Sequence, residues 1–134
     1  MKHNVSLTIT SLLSILFSAF HITDDIVYKI SPGGLSNLTV VAFLVVWLYA
    51  MLVLAEGRLG YAIVLLLSVL AAGVPILHMK GSSGITAGIS NPSAAFFFAW
   101  TLLALEVTAV FSAILSVRGL LQAKRRTPGA DERG

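Results

Sequence analysis

A chain of 134 residues with a net charge of +3 has room for one domain. Hydrophobic residues make up 57% of it and charged residues only 11%, less than half the roughly 25% usual in a soluble domain. With no cysteine, disulfides, thiol redox chemistry, thiolate zinc sites and iron–sulfur clusters are excluded.

The charges are segregated. Asp, Glu, Lys and Arg are absent from residues 4–20, 30–55, 59–77 and 81–105. An uncharged apolar run of about 18 residues reads as a membrane-spanning helix. Four such runs predict an all-α, four-transmembrane-helix bundle over residues 1–117, followed by a basic tail over 118–134. Because the basic residues flank the runs, orientation and anionic lipid account for them, and nucleic acid does not.

The first span is expected at about 5–23, with a helical extension to Tyr28. It reads as uncleaved. Ala19 could precede a signal-peptidase cut, but Phe17 would fill the position two before it, where a small residue is needed. Ser11, Ser14, Ser18, His21 and Asp25 recur three or four residues apart and so share one stripe. The opposite face carries Leu12, Leu13, Ile15, Leu16, Phe17 and Phe20. A small and polar stripe within an apolar helix normally faces other helices. Asp25 and Lys29 stand four apart, a favourable helix pair.

Ser31-Pro32-Gly33-Gly34 stops this helix, and Ser36 or Asn37 can cap the second span, expected at about 38–55. Trp47 and Tyr49 lie mid-span, where their polar atoms should seek partners inside the bundle. The tight Glu56–Gly60 connection predicts that the second and third spans are antiparallel neighbours. The third span, about 59–77, should kink near Pro75, which frees the carbonyl of Ala71. A Gly/Ser-rich loop follows over 81–90. Asn91-Pro92 then opens the fourth span, about 93–117, with Asn as cap and Pro at the first helical position. Ala95, Ala99, Glu106, Ala109, Ala113 and Ser116 form its expected packing face. Arg118, Lys124, Arg125 and Arg126 make a juxtamembrane cluster suited to anionic lipid, and the last eight residues read as disordered.

Lys and Arg count seven to two in favour of the side holding both termini and the second loop. By the positive-inside rule the bundle runs up-down-up-down with both termini cytoplasmic, as in a bacterial cytoplasmic membrane. His21 and His78 then rise to similar heights, about 25–30 Å from the inner surface at 1.5 Å per residue. His21, Asp24, Asp25 and His78 would form an outward-facing polar cluster. Imidazole and carboxylate together suit a divalent zinc, iron or manganese ion, the one cofactor these donors suggest. The same residues would serve as a proton or cation relay, or would simply be solvated at helix ends. A bis-histidine haem is disfavoured, because the adjacent carboxylates would be buried charge without use.

Glu106 lies mid-span, at the depth of Ser14, Trp47 and Ser68. A central acid costs roughly 2.5–3.5 kcal/mol, while each Leu, Ile, Phe or Val returns about 0.3–0.6. The many apolar residues around it therefore insert the span, with Glu106 turned inward as a proton-carrying or hydroxyl-bonded group. A purely structural Glu106, tying helices together, fits equally.

The arrangement HITDDIV, then SPGG, then GVPILHM resembles small bacterial four-helix membrane proteins without an assigned activity. The resemblance covers most of the chain and implies a fold and a location only. No nucleophilic triad, phosphate loop or cofactor fingerprint appears, which favours a non-enzyme. Three functions are expected: a small cation- or proton-handling transporter-like unit, an accessory subunit packing in a larger membrane complex or homo-oligomer, or a membrane enzyme using the His/Asp cluster.

Overall fold

The computed structural model describes residues 2–29, 38–54, 57–79 and 89–125, with side chains for 5–29, 38–54, 57–76 and 89–125. The Ser31–Gly34 stop, the Ser36/Asn37 cap, most of the Gly/Ser loop and residues 126–134 lie outside them.

Within the described residues the chain is all helical. The helices are α1 (Lys2–Val27), α2 (Thr39–Leu52), α3 (Arg58–Ala72), α4 (Val74–Met79) and α5 (Pro92–Arg125). Three stretches are long and apolar enough to cross a bilayer: Val5–Val27, Arg58–Ile76 and Pro92–Arg125. The chain thus has the architecture of a membrane protein, with Leu, Val, Ile and Phe covering its outer surface.

The second span is shorter than the sequence suggests. At 14 residues, α2 is about 21 Å long, less than the roughly 30 Å hydrocarbon core. Its ladder continues through Val53 N–H to Tyr49 O and Leu54 N–H to Ala50 O, then turns toward Gly57. A composition count runs on through Leu54 and Ala55 because both are apolar; the backbone stops because the connection to α3 is so short.

The third span breaks where Pro75 lacks an N–H for the Ala71 carbonyl. Gly73 forms the junction between α3 and α4, its N–H shared between Val69 O and Leu70 O. The fourth begins as expected. Asn91 Oδ1 accepts the Ser93 N–H at 2.9 Å and the Ala94 N–H at 3.4 Å, and Pro92 takes the first helical position. It ends later than expected. The segment VRGLLQAKR favours helix, and Lys124 and Arg125 in the last turn complement the helix dipole. The basic cluster up to Arg125 is therefore part of the helix.

α5 is the centre of the molecule, packing most extensively against α1 and α3. Its buried seam is Phe98, Thr101, Leu102, Leu105, Ala109, Ser112, Ser116 and Gly119. Of the expected small-residue face, Ala109 and Ser116 are in that seam, while Ala95, Ala99, Glu106 and Ala113 flank it half-buried. Small residues were available on both faces, and large Phe98, Leu102 and Leu105 chose between them by having core volume to fill. At Gly119 an added Cβ would overlap the Tyr61 ring, and at Gly60 it would overlap the Leu54 carbonyl. Both glycines set how closely α3 approaches its neighbours.

Candidate functional site

The α1 stripe is the inner face of that helix. Ser11, Ser14, Ser18, His21 and Asp25 are at most 8% exposed, whereas Leu12, Leu13, Leu16 and Phe20 face outward. Ser11 and Ser112 share a 2.6 Å hydrogen bond between α1 and α5. Ten residues further along α1, the His21 ring packs on Phe98, centroids 4.8 Å apart. Moving up α1 thus moves down α5, so these two helices run in opposite directions.

His21 and Asp25 form the polar end of the stripe. His21 Nε2 lies 3.9 Å from Asp25 Oδ2, beyond hydrogen-bond length but within ion-pair range when the imidazole is protonated. Helical i, i+4 spacing brings them together. Both are buried, His21 against Phe98, so they are not the solvated helix-end residues that their position in the sequence allows. The Asp25–Lys29 pair is not maintained. Lys29 has left the helix with φ 52°, a left-handed conformation that removes it from the i, i+4 register, and Asp25 lies instead within ion-pair range of His21.

Asp24 is half-buried, one turn position away from this face, and its Oδ2 has no partner among the described residues. His78 falls on α4, which lies against α5, the helix that meets His21; its side chain lies outside the described residues. Among the described residues no three His, Asp or Glu side chains gather into a metal site.

Glu106 is half-buried on α5, and its Oε2 has no hydrogen-bond partner among the described residues. Neither hydroxyl expected beside it is bonded to that oxygen. Ser14 donates to Thr10 O at 2.9 Å, and Ser68 Oγ, fully buried, has no partner among the described residues. The two mid-span aromatics divide. Trp47 is buried, its indole N–H unpartnered among the described residues. Tyr49 is 54% exposed on the outer surface, because two residues along a helix is about 200° around it.

The sequence reading missed Ser112, Phe98 and a cleft. Residues 98, 102, 105, 109, 112, 116 and 119 do recur at the alternating four-and-three spacing of a packing seam, but the adjacent face through Ala95, Ala99, Glu106 and Ala113 follows helical spacing too, so spacing alone does not single out Ser112 or Phe98. The cleft, about 230 Å³ in volume, is walled largely by apolar side chains with Ser18, His21 and Trp47 among them. It draws on all five helices, α4 through Val74, so no local pattern signals it. No protein family, curated protein or solved structure matches this chain.

Proposed function

We propose that the protein is a small integral membrane unit that handles protons or cations through the polar face of α1. The observation that carries this reading is the buried His21–Asp25 pair at the end of a continuous Ser11–Ser14–Ser18 stripe. Ionisable groups inside a membrane segment are costly, and they are placed there chiefly for ion or proton pathways. In this reading the chain crosses the bilayer four times, up-down-up-down, with both termini cytoplasmic. Asp24 and His78 complete an outward-facing site, which would take a divalent ion if one binds. Glu106 is the mid-membrane group, with Ser14 and Ser68 at its level. The basic end of α5 rests on anionic lipid.

The test is flux. Purified protein in liposomes with an imposed pH gradient, or a gradient of a divalent cation, should dissipate one of them faster than empty liposomes do. His21→Ala and Glu106→Gln should each lower that rate about tenfold or more. A rate equal to that of empty liposomes for both gradients would sink the proposal.

A second reading, a non-catalytic subunit packing in a larger complex or homo-oligomer, draws on a specific observation. Several hydroxyls of the inner faces are engaged within the bundle: Ser11 with Ser112, Ser14 with Thr10 O, and Ser116 with Ser112 O. Such bonds let helices pack closely and need no pathway. It predicts co-purifying protein partners and an indifferent Glu106→Gln. An enzyme using the His/Asp cluster is the third reading, and the cleft beside His21 is its one support.

A further inference from the structure

Two helices fix the depth of the basic residues. Tyr61, near the start of α3, meets Gly119, near the end of α5. Leu67 and Ala71, later in α3, share the cleft with Leu105, earlier in α5. The two helices therefore run in opposite directions. The span Arg58–Ile76 has 19 residues. At 1.5 Å per residue it covers about 28 Å, close to the roughly 30 Å hydrocarbon core. Arg58, exposed at the first position of α3, thus marks the bilayer edge at this end. Arg118 adjoins Gly119, which places it roughly 6 Å inside that edge.

Arg118 is exposed there, on the same outer surface as Ile114, Val117 and Leu121. A charge at that depth snorkels toward the headgroups. The helix works against this, because each Cα–Cβ bond tilts toward the helix N-terminus, and the N-terminus of α5 is at the far end of the bundle. A counter-ion at Arg118 is the alternative. The carboxylates among the described residues are Asp24, Asp25 and Glu106. The first two are at the other end of α1, past the point where His21 packs on Phe98. Glu106 is twelve residues back along α5, about 18 Å. None of them reaches Arg118. Lipid headgroups do, and a guanidinium fork matches phosphate in two parallel hydrogen bonds. Arg125 is exposed two turns further out and on the same face, where it approaches a headgroup from the water side.

We infer that Arg118 and Arg125 clamp the headgroup of one net-anionic phospholipid, its phosphate on Arg118 and its chains lying along Ile114 and Val117. A zwitterionic lipid would bring its own ammonium against the same two cations. The inference rests on the reading that the basic end of α5 meets anionic lipid, and it does not need ion handling.

The full chain is placed in phosphatidylcholine vesicles with a trace of spin-labelled phosphatidylglycerol or spin-labelled phosphatidylcholine. The motionally restricted fraction gives the relative affinity. Phosphatidylglycerol should be preferred by about fivefold or more, at least what one basic residue at a membrane surface supplies. Arg118→Gln should remove most of this preference. Lys124→Gln deletes the same charge about 100° around the helix from Arg125 and should leave most of it. Glu56→Gln should leave it unchanged, and millimolar inorganic phosphate should not displace the restricted lipid. Thermal unfolding in phosphatidylcholine alone confirms that each variant is folded, and Arg125→Gln, expected to weaken the preference more than Lys124→Gln, serves if Arg118→Gln is not. Equal losses in the arginine and lysine variants would overturn the clamp and leave diffuse attraction to anionic lipid standing. No preference in the parent chain would overturn both. A preference that rises severalfold in Glu56→Gln would make Glu56 the counter-ion, and displacement by phosphate would make the occupant a soluble anion; either result overturns the inference.

Discussion

Ser11 and Ser112 are the smallest unit of the fold that carries an argument. Two hydroxyls 2.6 Å apart at zero exposure give the α1–α5 seam both a hydrogen bond and a close approach. Interhelical hydrogen bonds in membranes average about 0.6 kcal/mol, whereas overfilling a packed interior costs about 1–3 kcal/mol. Ser112→Ala should therefore cost under about 1 kcal/mol, and Ser112→Val, adding bulk at the same point, should cost more. Thermal unfolding in detergent checks the order. If alanine destabilises as much as valine, the hydroxyl pair and not the spacing holds the seam. The stripe to which Ser11 belongs was legible from four- and three-residue spacing alone. Its partner was not, because α5 offers small residues on two adjacent faces.

At the level of elements, the glycines decide how α3 sits. Gly60 lies where any Cβ would meet the Leu54 backbone carbonyl, and Gly119 where it would meet the ring of Tyr61. Backbone cannot rotate aside, and the buried ring has little room to do so. Gly60→Ala should destabilise by about 1–3 kcal/mol, as overpacking does. Gly119→Ala should cost no more than Gly60→Ala, and combining it with Tyr61→Leu should recover part of the loss. Unfolding temperatures of the three variants test this, and a Gly60→Ala protein as stable as the parent would remove the close-approach argument. The break between α3 and α4 was readable because proline acts on its own helix through a missing donor. The early end of α2 and the long run of α5 were not. Apolar composition marks where a chain tolerates lipid, and backbone hydrogen bonding marks where a helix ends; at Leu54 and at Val117 the two disagree.

For the whole molecule, the arrangement across the bilayer is the main expectation to test. The chain has no cysteine, so single cysteines report sidedness without background. Cysteines placed at Lys2, at Arg58 and at Lys124 should all be labelled from the cytoplasmic side by a membrane-impermeant thiol reagent, and one at Lys29 from the other. Labelling of Lys2 and Lys124 from opposite sides would show that α2, about 21 Å long, does not cross. It would also reverse the direction of α5 that places the basic cluster on anionic lipid.

Membrane class, the inner stripe of α1, the cap at Asn91 and the break at Pro75 were settled within the sequence itself. Each depends on residues a few positions apart, through hydrophobic length, helical period or one missing donor. Tertiary packing decided the rest: that Phe98 covers His21, that Trp47 turns in while Tyr49 turns out, which face of α5 is the seam, and that the helices together leave a cleft open to the side. Those outcomes depend on which volumes meet across elements far apart in the chain, and neither composition nor spacing records that meeting.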